Sequence, residues 1–572
     1  MSRSARRRDW RDQFGLAAGL ALLGLALAPL ILSALGALGP AFGYFPALGG
    51  DRLSLAPWRE ALAVPGIGRS ILLSLWIGLV ATLLATAIAF ALAGAMIFGG
   101  SARWARRVSE ILLAAPHAAM ALALVFLLGP SGLLARLPAQ VFGWERPADY
   151  LFPGDPFGLA AILGLAVKEA PFLLIVALNA ARGLDPAAWS RQSASLGYRP
   201  MRGFLLGFAP QLYPRIRLAV FVALAFATAS VEQALVLGPT VPPTLAVRLV
   251  QWFNDPDLSS RFPLAAGALL LAGAVAVAFG LWRGGEIIAG RTMQVFAAQG
   301  ARRGALDLAA ALLARLGQIV FFGAILALAA QALSSIAQSW RFPDLVPSAW
   351  SLDLWARSPR LIGAPIANSL SLAAFCAIAA PVLALIGLEA TGQRPLLRRA
   401  LTLAFFAPLF VPEPSFVFGL ASFWAAWRLD GQWANVAWAH LIYTLPYAWL
   451  LLLGPHEGLD RRLTASARVL GAGPLATFWR VRAPMLLAPI LSAAALSVVV
   501  STALYLPTLA AGAGRIATLV TESLVLAGSG DRRLVGVMSV ILVATPLLAL
   551  ALADLGPRWA YRRRALLREA AR

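Results

Sequence analysis

Charge is scarce in this sequence. Only 13% of its 572 residues are Asp, Glu, Lys or Arg, against about 25% in an ordinary soluble domain. Hydrophobic residues make up 60% and the mean hydropathy is +0.76. A soluble surface cannot be built from that composition, and disordered or fibrous classes fail for the same want of polar residues. Cysteine is nearly absent. Cys376 stands alone, which excludes a disulfide scaffold and any cysteine-based zinc or iron–sulfur site. The histidines, His117, His440 and His456, are too scattered to suggest a metal site. Lysine is rarer still, with Lys168 the single example. A phosphate-binding loop of the G-x-x-x-x-G-K-S/T kind needs a lysine after its glycines. Lys168 stands in GLAVKEAP, without that spacing and without a following Ser or Thr. ATP hydrolysis by this chain is therefore not expected, and no catalytic residues are assigned.

Long apolar runs are what the sequence has instead. A bilayer-crossing helix needs about 20 mostly apolar residues, and twelve such stretches occur. Six lie near Phe14–Leu38, Ser70–Ile97, Ile111–Leu128, Gly158–Leu178, Leu218–Leu237 and Phe262–Leu281. Six more lie near Leu316–Ile336, Ile366–Leu388, Ala400–Leu420, Asn435–Leu453, Leu487–Ala510 and Leu534–Leu552. Helices are the expected form, since a spanning backbone must satisfy its own hydrogen bonds. The amino terminus has a basic stretch but no small-residue cleavage site after it, so the first run reads as an uncleaved span.

The net charge of +22 would suggest nucleic acid in a soluble protein. Its placement says otherwise. With the amino terminus on the cytoplasmic side, the inner segments hold 33 arginines and 11 acids, and the outer ones 14 arginines and 12 acids. Essentially the whole excess lies on one side, as the positive-inside rule requires. Both termini, and the segments Arg103–Arg107, Arg461–Arg482 and Arg558–Arg572, are expected in the cytoplasm. The basic character is topology and needs no nucleic acid partner.

The chain also repeats itself. At a shift of 274 positions Leu196, Gly197, Pro200, Phe204, Pro210 and Ile216 fall on Leu470, Gly471, Pro474, Phe478, Pro484 and Ile490. Thr228, Gly238 and Thr244 fall on Thr502, Gly512 and Thr518. Six spans return a chain to its starting side, so two six-span halves have the same orientation, a parallel repeat. Residues 1–295 and 296–572 are read as the two halves, with cores near 70–281 and 366–552. The best-matched stretch is the cytoplasmic loop between the fourth and fifth spans of each half. Each follows a Gly-Leu-Asp turn, at Gly183–Asp185 and Gly458–Asp460. A short Ala/Ser-rich helical segment then ends at Gly197 or Gly471, a residue suited to a left-handed helix end. Pro200 or Pro474 follows three residues later and blocks continuation.

At these residues the chain resembles the permease subunits of binding-protein-dependent ABC importers. Their signature loop reads Glu-Ala-Ala, three residues, Gly, nine residues, then Ile-x-Leu-Pro. Gly197 with Pro210 and Gly471 with Pro484 fit that spacing. The Glu-Ala-Ala part is degenerate: Arg191, Gln192 and Ser193 stand there in one loop, Ala465, Ser466 and Ala467 in the other. Two permease domains in one chain look like the ferric-iron and thiamine importers, and Leu504–Gly530 is most similar to a thiamine-type group. The resemblance implies an all-α, type I importer-like permease in a bacterial inner membrane. Each loop would be a coupling helix for an ATPase subunit, through Arg191, Ser193, Gly197, Pro200, Phe204 and Pro210 in one and Ala465, Ala467, Gly471, Pro474, Phe478 and Pro484 in the other. The implied partners are two ATPase copies, which would carry ATP and Mg, and an external solute-binding protein. The implied motion is alternating access.

Charges inside spans are functional candidates by default. Lys168 and Glu169 are adjacent and project about 100° apart on a helix. Glu232 falls on Leu506 in the repeat, so its role is asymmetric. Glu413 lies in Val411-Pro412-Glu413-Pro414, a helix-breaking context that can open a polar cavity. With Tyr505 and Thr508, these residues are the candidates for a translocation path, set against the plainer reading of helix packing. Glu232 and Glu413 suit a cationic solute, thiamine-like or a metal cation. His117 and His440 read as packing residues rather than ligands. Two other functions compete. A gradient-driven secondary transporter would need more coupling carboxylates and leaves the paired loops unexplained. A membrane enzyme acting on lipid-linked substrates would need a cluster of acids or histidines at one face.

Overall fold

The computed structural model describes residues 3–302, 304–392, 394–528 and 530–561, with side chains from residue 15 onward except at 461. The Arg564 end of the basic carboxyl-terminal stretch therefore lies outside the described residues. The architecture is all-α. Among the described residues strand is confined to two hairpins, Tyr44–Phe45 with Gly50–Asp51 and Ala337–Ser339 with Ala349–Trp350. Ten helices are long and apolar enough to cross a membrane, or twelve spans result if each of two bent pairs counts as one.

Span 1 is Gly15–Ala41, span 2 Ile67–Ile97, span 3 His117–Phe142, span 4 Leu159–Leu184, span 5 Pro200–Ala229 and span 6 Leu258–Ala298. Span 7 is Ala305–Ser334, span 8 Gly363–Thr391, span 10 Trp433–Glu457 and span 12 Arg532–Ala560. Span 9 joins Pro395–Phe410 to Glu413–Ala426 at 103°, and span 11 joins Pro474–Met485 to Leu487–Ala503 at 74°.

All twelve apolar runs coincide with these spans, but several are not the continuous helices their hydropathy suggests. The run Ile111–Leu128 is cut at Pro116, between the helices Trp104–Ala114 and His117–Leu128. The run Ala400–Leu420 is cut at Pro412. A proline ring clashes with the preceding turn and cannot donate to it, so the helix stops before it and restarts after it. The runs Leu218–Leu237 and Leu487–Ala510 are cut at Ser230 and Leu504, where extended backbone follows Ala229 and Ala503. Short helices Glu232–Leu237 and Leu506–Gly512 then resume. No proline marks these two breaks, which is why hydropathy runs straight through them.

The 274-residue offset holds for the backbone. Helices end at Ala229 and Ala503, and resume at Glu232 and Leu506 and again at Leu245 and Leu519. The likeness extends to the first span of each half, since spans 1 and 7 both lead into a hairpin and then a short helix, Ala56–Ala63 or Asp353–Leu361. Helical backbone is interrupted between the halves only from 299 to 304.

Packing follows the same symmetry. Spans 2, 4 and 5 form one bundle; spans 8, 10 and 11 form the other. Small residues let the helices approach, as Ala81, Ala85 and Ala89 do on span 2, each fully buried. A cross-span hydrogen bond recurs in both bundles. The Leu245 N–H donates to Ser74 Oγ at 3.0 Å, and the Leu519 N–H donates to Ser369 Oγ at 2.8 Å. Each satisfies an N–H that a helix start leaves orphaned inside the membrane, where no water can serve. The outer helices are exchanged. Span 1 lies along spans 8 and 9 of the second half, and span 7 lies along spans 2 and 3 of the first. An apolar cluster including Ala119, Val231, Phe416, Trp424, Tyr505 and Met538 crosses the boundary between the halves.

Candidate functional site

The two cytoplasmic loops share one backbone course. In the first, Pro186–Ser195 is helical, Asp185 caps it by accepting from the Ala188 N–H at 3.2 Å, and Gly197 turns the chain at φ +78°. In the second, Arg461–Val469 is helical, Asp460 accepts from the Arg462 N–H at 2.8 Å, and Gly471 turns at φ +85°. Side chains rarely adopt that conformation, and glycine does so without strain. Pro200 and Pro474 do not simply stop a helix; each sits first in a new turn, where its missing N–H costs nothing. A π-turn follows at matching positions, Phe204–Phe208 and Phe478–Arg482, and leads to Pro210 or Pro484 at the membrane entrance. The sequence motif carries no hint of that wider turn.

The surroundings differ sharply. The first loop is braced by its own chain. Ser193 is buried beneath Gly203, and Phe204 sits in an aromatic cluster with Phe90, Phe98 and Phe208. Arg202 is buried with its guanidinium 3.8 Å from Asp307, at the start of span 7, and the Arg199 N–H donates to the Arg302 carbonyl at 3.5 Å. Arg191, Pro200 and Pro210 remain exposed. The second loop stands clear. A Cβ on Gly471 would meet nothing, and Val469, Leu470, Leu475 and Trp479 are 87%, 86%, 76% and 68% exposed. Its root is held by Arg482, which donates to Glu389 at 2.6 Å beside His456, and by the Tyr561 hydroxyl on the Pro484 carbonyl. Ala465, Gly471 and Pro474 are exposed, while Ala467 and Phe478 are half-buried.

The charged residues of the spans do not all converge. Lys168 turns away from the acids and donates to the carbonyls of Leu112, at 2.7 Å, and Ala115, at 2.5 Å. These carbonyls lie in the last turn before the break at Pro116, so Lys168 caps a helix end. Thr508 is also spent on structure. It donates to the Leu504 carbonyl and meets His440 Nε2 at 2.8 Å, while His440 Nδ1 meets Ser501 at 2.9 Å. That agrees with a packing role for His440. His117 does more than pack: its Nε2 lies 3.6 Å from Glu169 Oε1, and its ring lies 4.6 Å from Phe226.

Glu232, Glu413 and Tyr505 do come together. The carboxylates of Glu232 and Glu413 act on each other's charge, and Glu232 accepts from the Tyr505 backbone N–H. Tyr443 and Tyr447, on span 10, stand within Coulombic reach of Glu413, and Tyr447 also of Glu169. Sequence reasoning missed both tyrosines. The repeat held the signal, because Glu169 falls on Tyr443 at the 274-residue shift. Among the described residues neither Glu232 nor Glu413 belongs to an ion pair, and no group of three His, Cys, Asp or Glu side chains is placed to hold a metal ion.

No family model matches the chain. The inner membrane ABC transporter permease protein YnjC of Escherichia coli (strain K12) is 29% identical over 550 residues, which cover 94% of this chain and 96% of that protein. The chain resembles an ABC transporter permease. The permease likeness takes in both halves, both cytoplasmic loops and the carboxylate centre, because so little of either chain lies outside the match. It accords with an all-α integral membrane protein of ten to twelve spans.

Proposed function

We propose that this chain is the membrane subunit of an ATP-driven importer. It would bind one ATPase copy at each cytoplasmic loop and receive a small solute from an external binding protein. The observation that supports this best is the pair of loops. Two helices, two left-handed glycines and two π-turns recur 274 residues apart on one side of the bundle. A secondary transporter has no use for such a pair. The four helix breaks, at Pro116, Ser230, Pro412 and Leu504, give the transport path its place near the middle of the bundle. Broken helices at that depth are tolerated where they line a cavity or are packed in protein. Alternating access would rock one half against the other about this centre. The solute fits a cation, thiamine-like or metallic, because Glu232 and Glu413 have no cationic partner in the chain.

The test is co-purification with the ATPase encoded beside it. One copy of this chain should hold two ATPase copies, and ATP hydrolysis should require the complex. An active complex with a single ATPase, or uptake driven by an ion gradient without any ATPase, would reject the proposal.

A further inference from the structure

We infer that Glu232, Glu413, Tyr443, Tyr447 and Tyr505 form a binding site for a small organic cation rather than a metal ion. The inference rests on the permease reading above and assigns its solute class.

Glu232 lies on the short helix after the break in span 5, and Glu413 opens the second helix of span 9. Two carboxylates so near each other repel, and in a low-dielectric interior that repulsion is costly unless a cation joins them. The chain supplies none. Lys168 is committed to two carbonyls, and His117 faces Glu169. A second, independent observation points the same way. Tyr443 is only 7% exposed, yet its hydroxyl has no hydrogen-bond partner, and it stands beside Glu413. A buried hydroxyl left unpaired costs about 1–3 kcal/mol, and a ligand with a polar group would relieve it.

The donor set distinguishes the kind of cation. A metal ion draws on several converging His, Cys, Asp or Glu ligands, and no such group of three is found among the described residues. Three phenol side chains converge instead, two from span 10 and one from the break in span 11. Aromatic faces with nearby carboxylates suit a delocalised or quaternary nitrogen, which binds through the ring quadrupole and sheds its water readily.

The repeat adds a further argument. Where the first half has Glu169 and Glu232, the second has Tyr443 and Leu506. Where span 9 restarts at Glu413 after Pro412, span 3 restarts at His117 after Pro116. The pseudo-symmetric centre is thus unequal in charge across its axis. It suits a solute with a cationic end and an uncharged end, not a spherical ion.

The experiment is equilibrium binding to the complete complex, permease with ATPase, in lipid nanodiscs. The probes are thiamine, tetramethylammonium and the manganous ion. Thiamine should bind, tetramethylammonium should compete weakly, and manganese should not compete. Glu232→Gln and Glu413→Gln should each weaken thiamine binding tenfold or more. Tyr505→Phe, which keeps the ring, should bind within about threefold of the parent, while Tyr505→Leu should lose about tenfold, as expected for a lost cation–π contact. Unchanged thermal melting and ATPase retention show that each variant is folded; if the glutamine variants fail this, the Tyr505 pair carries the test. Carboxylate-dependent manganese binding without thiamine binding would overturn the inference. So would thiamine binding indifferent to both glutamine variants, or no probe binding to an intact complex. In each of these cases a retained ATPase leaves the permease reading standing. Loss of ATPase association in the parent chain would reject that reading instead.

Discussion

Gly36 and Gly419 cross backbone against backbone. A Cβ on Gly36 would overlap the Gly419 carbonyl, and one on Gly419 would overlap the Ser33 carbonyl. The pair sets the spacing between span 1 and the outer part of span 9, and Ser33 Oγ reinforces it by donating to the Phe416 carbonyl at 2.7 Å. Gly419→Leu should therefore force apart an interface that joins the two halves. A loss of about 1–3 kcal/mol is expected from such overpacking. A lower thermal midpoint in detergent, with Gly24→Leu as the control at a position with open space, measures it. Equal midpoints would show that the crossing is slack.

Lys168 offers a separate test. Its ammonium satisfies the Leu112 and Ala115 carbonyls at the end of the helix before Pro116. Replacing it by Met keeps the apolar stem and removes the donors. Each charged hydrogen bond contributes about 1.5–3 kcal/mol, so Lys168→Met should lower thermal stability markedly. Solute affinity in the surviving folded fraction should be near that of the parent. Affinity lost at unchanged stability would move Lys168 into the path.

The two loops should not respond equally. Gly471→Asp and Gly197→Asp each place a side chain where φ is positive, a strain of about 1–2 kcal/mol. Both should reach the membrane at near-normal levels. On the second loop, Trp479→Glu should weaken ATPase retention far more than Leu196→Glu on the first, because the second exposes four large apolar side chains and the first is covered by its own chain. ATPase co-purification at matched membrane amounts reads both comparisons. Equal losses would remove the asymmetry, and no loss in any variant would remove the docking assignment.

Orientation is tested by cysteine labelling of intact cells in a Cys376→Ser background; Cys376 is buried and unpaired. Arg52→Cys, in the exposed hairpin after span 1, should react with an impermeant reagent from outside. Arg468→Cys, exposed in the second loop, should react only after permeabilisation. Both positions follow from the arginine excess of the inner segments. The reverse pattern would invert the bundle.

What the sequence made legible was what depends on local composition. Twelve apolar runs and twelve spans agree because hydropathy alone decides whether a helix can sit in lipid. Pro412 announced its break, since proline acts on its own helix. The breaks at Ser230 and Leu504 were invisible, because extended backbone there is held by packing and by partners such as His440 on Thr508, distant in the chain. The same limit applies to the charged residues. Glu232 and Glu413 stood out as rare acids, but nothing local distinguished Lys168, a helix cap, from a path residue. Tyr443 and Tyr447 looked like ordinary aromatic anchors until span 10 was placed beside Glu413.

Val469, Leu470, Leu475 and Trp479 have a further consequence inside a living cell. Four large apolar side chains projecting into the cytoplasm are the feature by which proteolytic quality control recognises an unassembled subunit. If the ATPase covers them, its synthesis sets how long this chain survives. Production of the membrane subunit without its partner would then be limited by degradation rather than by translation or insertion, and co-expression would raise the yield with no change to the gene itself.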